Sequence, residues 1–163
     1  MGGFYTKTFK VYDDYMTPKS AWENIEHIIP KDKVIWEAFY GDGSSGSHLK
    51  DMGFNTIHEN VDFFENDLGD LIVSNPPFSH LQEILPRLKV LGKPFIMIMP
   101  SSKINTVYFR ELFKDEGIQI IIPRKRIQFI KMPLDANNKQ HCNFDCFYYC
   151  FKMNLERDII WLE

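Results

Sequence analysis

Apolar and polar positions alternate in blocks along the 163-residue chain, and most blocks carry their own stop signals. Lys33–Phe39, Asn55–Glu59, Asp70–Ser74, Pro94–Met99 and Ile118–Ile122 are short apolar-rich runs bounded by Gly, Pro, Asn or Asp, the pattern of strands. Between them lie stretches with helical starts and stops. Thr17–Ile29 takes Thr17 as N-cap, Pro18 as first helical residue and Pro30 as terminator. Ser47–Met52 is closed by Gly53, Ser79–Leu91 runs through Pro86, and Asn105–Asp115 is followed by Gly117. After Pro123, Arg126–Ile130 resumes extended structure, Met132–Gln140 is a polar loop, and Asn143–Met153 reads as a long strand. This alternation predicts an α/β sandwich with a mainly parallel sheet, in which ligands sit beyond the carboxyl ends of the strands. One place breaks the pattern. Asp62–Phe64 resembles a strand fragment, yet only Asn60 and Val61 separate it from the strand before, too few for a parallel crossover. The helix expected there is missing, and Asp62–Phe64 is an edge fragment or loop.

Composition bounds the class. At 44% hydrophobic, 15% aromatic and 25% charged residues, the chain has the balance of one globular domain spanning 1–163, which excludes disordered and fibrous proteins. The longest strongly apolar runs, Phe95–Met99 and Ile118–Ile122, fall far short of a membrane span. The first thirty residues carry no cationic start followed by an apolar block, so an intracellular, cytoplasmic protein is expected. Cys142, Cys146 and Cys150 form no CxxC pair, and their odd number argues against a disulfide framework. His141 beside them makes zinc conceivable, but along the run Phe144–Phe151 a period of two places the three thiols on one strand face, where small soft side chains pack. No metal site is expected.

Charge changes the picture through its distribution. The formal net charge is −3, but residues 1–82 carry 6 Lys/Arg against 13 Asp/Glu, residues 83–131 carry 10 against 4, and residues 132–163 carry 3 against 5. A basic segment thus sits inside an acidic protein. Phosphate binding needs local positive charge, so net charge excludes no nucleic-acid partner. Within that segment Arg124–Lys125–Arg126 is either a phosphate contact or a solvated turn.

Three motifs carry chemistry. In Asn75–Pro76–Pro77–Phe78, each proline fixes its own φ and pushes the residue before it out of the helical region. Asn75 and Pro76 are therefore held extended at the carboxyl end of the strand Asp70–Ser74. The Asn75 side-chain oxygen and a main-chain carbonyl can both accept from one planar amino group, returning electron density to its nitrogen. Phe78 offers a flat face for a base, a stacking contact worth roughly 1–3 kcal/mol. Glu37–Ala38–Phe39–Tyr40–Gly41–Asp42–Gly43 ends the first of these strands with two glycines that permit tight turns and close ligand approach, ahead of a helix that begins near Ser44–Ser47. Tyr15–Met16–Thr17–Pro18 opens the first helix.

Together these motifs resemble the class I S-adenosylmethionine-dependent methyltransferases that modify exocyclic amino groups. Within them the chain is most similar to small phage- and virus-type DNA adenine-N6 methyltransferases, in order over roughly residues 12–151. Tyr15–Pro18 resembles the family's (F/Y)xTP element, Glu37–Gly43 its (D/E)xFxGxG loop, Asp62–Phe63 its Asp-Phe element, and Asn75–Phe78 its (D/N)PP(Y/F/W) motif. Arg126–Phe129 and Phe144–Phe151 resemble its late strands. The resemblance implies a Rossmann-like class I methyltransferase sandwich: a mainly parallel sheet with an antiparallel late strand, reduced around the third strand. It also implies roles. Glu37, Phe39, Gly41, Asp42 and Gly43 form the cofactor loop, and Tyr15 and Thr17 contact the methionine end of S-adenosylmethionine. Glu59 meets the ribose hydroxyls, Asp62 the adenine amino group, and Phe63 lines the same pocket. Asn75, Pro76, Pro77 and Phe78 hold the target amine.

The expected reaction is methyl transfer to adenine N6 in nucleic acid, with DNA as the leading substrate. RNA adenine N6, a protein glutamine amide, and an inactive accessory role beside a partner subunit are the alternatives. No insertion is large enough for a separate target-recognition domain, so sequence specificity comes from Met132–Gln140, from Arg124, Lys125 and Arg126, or from another subunit, a homodimer mate included, or is absent.

Overall fold

The computed structural model describes residues 15–131 and 144–163. In chain order the elements are β1 (Tyr15–Met16), α1 (Lys19–Glu23), β2 (Ile35–Trp36), α2 (Ser44–Asp51), β3 (Thr56–Ile57), β4 (Leu71–Ser74), α3 (Leu81–Leu91), β5 (Phe95–Pro100), α4 (Val107–Phe113), β6 (Gln119–Ile122), β7 (Ile130–Lys131), β8 (Cys146–Phe151) and β9 (Ile159–Trp161). Short 3₁₀ turns occupy Phe63–Glu65, Phe78–His80 and Ser101–Asn105.

Seven strands form the main sheet in the order β3-β2-β4-β5-β8-β6-β9, and β1 pairs with β7 in a separate antiparallel ribbon. β3, β2, β4 and β5 run parallel, β8 lies antiparallel between β5 and β6, and β9 runs parallel to β6. This is the mainly parallel, Rossmann-like α/β sandwich anticipated above, with its antiparallel late strand. The reduction is also present: β3 leads to β4 through a 3₁₀ turn alone, with no α-helix between them.

Period-two alternation builds a core on each face of the sheet. Ile96 and Ile98 of β5 pack with Cys146, Tyr148 and Cys150 of β8, beneath Trp22 of α1 and Leu49 of α2. Phe95, Met97 and Met99 face the other way with Tyr149 and Phe151, beneath Leu81, Ile84 and Leu88 of α3 and Phe109 and Phe113 of α4. Strands buried on both faces read as continuous apolar runs, which is why β4 and β5 stand out in the sequence. Cys146 and Cys150 are buried on one face, as the period requires. Cys142, His141 and the whole of the loop 132–140 lie outside the described residues. Among the described residues no helix is long and apolar enough to cross a membrane.

Two local expectations need correcting. Thr17 does not cap α1: Pro18 occupies that position with extended angles (φ −71°, ψ 152°), and its carbonyl accepts from Ala21 N at 3.0 Å. A residue preceding proline is itself held extended, so Thr17 stays in the chain that enters from β1. Nor does the helix reach Ile29. After Glu23 the backbone tightens into i→i+3 turns, Ile25 N to Trp22 O at 3.1 Å and Ile28 N to Ile25 O at 2.9 Å, which turn Trp22, Ile25 and Ile29 into the core.

Helix α2 sits close to the strand end after β3. A Cβ placed on Gly46 would lie 2.1 Å from His58 Cγ. In an isolated helix alanine exceeds glycine by about 1 kcal/mol, whereas overpacking a core costs about 1–3 kcal/mol. Gly46→Ala should therefore lower Tm, by roughly 2–4 °C for each kcal/mol lost in a chain of this size. In a His58→Ala background the same substitution should raise Tm, and thermal unfolding of the four proteins reads the change of sign.

Candidate functional site

Strand β4 is buried throughout and delivers Asn75 to the carboxyl edge of the sheet. Pro77 stays extended (φ −66°, ψ 117°), and the chain then turns through Phe78–His80 into α3. From the neighbouring β2, Glu37–Gly43 crosses the same edge. Gly41 and Gly43 adopt φ +60° and +87°, values that disfavour other residues, and Gly43 caps α2 in the left-handed conformation. A Cβ on Gly41 would meet Met16 Sδ at 3.1 Å, so β1 rests directly against the loop. Asp42 Oδ1 accepts from Ser44 N at 2.9 Å and from Ser44 Oγ at 2.5 Å, fixing the start of α2.

These three segments close around one cleft, lined by Tyr15, Met16, Thr17, Glu37, 39–42, Ser44, Ser45 and Asn75–Phe78. Of the residues expected from the sequence, Tyr15, Thr17, Glu37, Phe39, Gly41, Asp42, Asn75, Pro76, Pro77 and Phe78 meet here. Gly43 stands just behind, shaping the turn.

Glu37 is 1% exposed, and its carboxylate is fully engaged by protein groups. Ser45 Oγ donates to Oε2, Ser74 Oγ donates to Oε1, and Phe39 N donates to Oε1 at 3.2 Å. Ser45 in turn accepts from Trp22 Nε1 at 2.9 Å. Burial pushes the Glu37 carboxyl up to about 7 against the opposing pull of these hydrogen bonds. Asn75 is the opposite case. Its side-chain oxygen is buried with no hydrogen-bond partner, beside a cleft that a ligand can enter. A buried acceptor left open costs free energy unless a ligand or water satisfies it. Phe78 is held edge-on by Phe129 (6.3 Å) and Phe144 (5.5 Å), and Phe144 also meets the edge of Tyr15 at 5.7 Å.

Besides Gly43, three expected cofactor residues stand outside the cleft lining. Glu59 is exposed beyond β3. Asp62 Oδ1 caps the 3₁₀ turn by accepting from Phe64 N at 2.8 Å. Phe63 is buried in the second core, its ring 4.7 Å from Phe39 and 5.7 Å from Trp36. Arg124, Lys125 and Arg126 are exposed and line a different concavity.

The sequence reading overlooked Ser45, Ser74, Trp22 and His58. Ser74, the polar residue ending an otherwise apolar strand, was a usable signal. His58 stacks on Tyr40 at 5.0 Å with Nδ1 buried and unpartnered, and burial followed by the Lys50 charge lowers its pKa.

A carboxyl whose pKa is raised on folding keeps its proton in the native state while the unfolded chain has lost it. Stability should fall as pH rises from about 4.5 to about 7 and level off above, to the extent of a few kcal/mol. Glu37→Gln should remove this component of the slope, and denaturant unfolding across that pH range tests it.

No family model matches this chain, and no curated protein matches it. Among solved structures it is similar to the tRNA (m1A58) methyltransferase TrmI from Aquifex aeolicus, at 13% identity and a TM-score of 0.43, over 88% of this chain and 71% of that one. A candidate methyltransferase from Thermoplasma acidophilum gives 12% identity and a TM-score of 0.30, over 79% and 70%. Likeness at this level carries no argument about activity, which rests on the cleft itself.

Proposed function

We propose that the chain is an S-adenosylmethionine-dependent methyltransferase acting on an exocyclic amino group, adenine N6 of nucleic acid and DNA in the first place. The observation that carries this reading is the buried, unpartnered Asn75 oxygen, held by two prolines at the carboxyl edge of a parallel sheet beside a glycine-rich loop. An amino group brings the hydrogen that this acceptor lacks.

The cleft fits the cofactor in outline. Gly41 lets the backbone lie bare along it, and Tyr15, Thr17 and Asp42 supply polar edges. When bound, S-adenosylmethionine would supply an electrophilic methyl group on a positively charged sulfur, itself the leaving group. Asn75 and the Pro76 main-chain carbonyl accept the two amino hydrogens, which keeps the nitrogen lone pair available and fixes its direction. Phe78 stacks against the base, which leaves the helical stack to arrive there. Glu37 lines the cleft, but both its oxygens are already taken by Ser45, Ser74 and the Phe39 amide, so it keeps no open position for a substrate proton. Its work is to hold the loop and β4 together. The amine proton departs after transfer, so no strong base is required beforehand.

Purified protein, methyl-labelled S-adenosylmethionine and separate pools of single-stranded DNA, duplex DNA, transfer RNA and protein provide the test. Label should appear in N6-methyladenine. Asn75→Ala should cut the rate roughly 10²–10³-fold, the cost of losing one aligned polar group at a reacting centre, while cofactor binding survives. Loss of cofactor binding in that variant, or label in protein alone, would overturn the assignment.

A further inference from the structure

A second concavity lies on the face of the sheet that carries α1. Its walls come from His27 and the turns after α1, the basic turn Arg124–Arg126, and the end of the edge strand β9. The cations facing it are Arg124, Lys125 and Arg126, with His27 opposite, and Glu163 is the single carboxylate among its lining residues. Arg126 is engaged by Asp145, Nε to Oδ1 at 2.9 Å. Arg124 and Lys125 are exposed and enter no ion pair among the described residues. Trp161, at the rim, is 71% exposed, whereas Trp22 and Trp36 are wholly buried. β9 places it there: Trp161 pairs with Ile122 in register, and Leu162 N donates to Ile122 O at 3.0 Å, two residues before the basic turn.

The concavity connects to the reaction cleft through one extended segment. Ile127 and Phe129 are buried while Gln128 is exposed, so the chain from Arg126 is pinned to the core at alternate positions. Phe129 packs against Phe78, and β7 continues into the ribbon with β1, whose residues line the cleft. Three residues of extended chain from Arg126 to Phe129 span at most about 11 Å. Arg124 lies five residues before Phe129, at most about 18 Å of extended chain, so a strand whose target base stacks on Phe78 meets Arg124, Lys125 and Trp161 with nucleotides several positions from the target.

We infer that this groove binds the single-stranded segment flanking the target nucleotide, with Arg124 and Lys125 on its phosphates and Trp161 stacked on an unpaired base. This rests on the proposed nucleic-acid reading and adds the form of the substrate. Cations beside an exposed aromatic are the combination that grips a single strand, because its bases present free π-faces. A duplex keeps its bases stacked and would present only phosphates to the same surface.

The test titrates the full chain with single-stranded oligo(dA), oligo(rA) and a duplex while following tryptophan emission. Trp161 is the exposed indole, so single strands should quench part of the emission saturably, and Trp161→Leu should abolish the quench and weaken binding roughly tenfold or more. Trp161→Phe should recover most of the affinity, which loss of folding would not allow. The log–log salt slope should shrink by about 0.7 for each phosphate contact removed by Arg124→Ala or Lys125→Ala. The two single-strand arms tell DNA from RNA. An unchanged emission, or a duplex that quenches as strongly as the single strands, overturns the groove assignment. Methyl transfer on the same preparations separates the two claims: label in DNA without a quench leaves the proposed function standing and removes the groove, and a quench without label in any nucleic acid does the reverse.

Discussion

A carboxylate removed from water must be paired, hydrogen-bonded or neutral, and Glu37 meets this constraint at the centre of the molecule. Its partners come from separate parts of the chain: Ser45 from α2, Ser74 from β4 and the Phe39 amide from the loop after β2. Trp22 of α1 completes the set through Ser45. Four segments are thereby drawn to one point in the wall of the cleft. The residue after Ser74 is Asn75, so the position of the open acceptor follows from the network that satisfies the acid beside it.

The cleft separates rigidity from reactivity. Its backbone is fixed by prolines on one side and by left-handed glycines on the other, while β1 is held against it by pairing with β7. Phe78 is braced by Phe129 and Phe144. Among the described residues that line it, Asn75 is the one with a buried hydrogen-bonding atom left unmet, and a ligand that satisfies it gains most there.

Motifs that depend on backbone stereochemistry were legible from the sequence. Asn75–Phe78 and Glu37–Gly43 signal their geometry through proline, glycine and the strands that precede them, and both line the cleft. The two-residue gap before Asp62 was equally readable, because a parallel crossover has a minimum length. Glu59, Asp62 and Phe63, whose roles the resemblance alone implied, stand outside the cleft lining. The cap at Thr17 failed for a local reason, the proline following it.

The sequence by itself determined the alternation of elements, the two-faced burial of β5 and β8, and the conformations at which the chain turns beside its acceptor, because these follow from side-chain period and from φ restrictions within a few residues. Only the tertiary structure decided which distant groups meet. Ser74 lies 37 residues from Glu37, Phe129 packs on Phe78 across 51 positions of chain, and Trp161 comes beside Arg124 through the pairing of β9 with β6. Such encounters depend on strand order and register, which arise from burying both faces of one sheet at once and leave no local signature in the residues that they join.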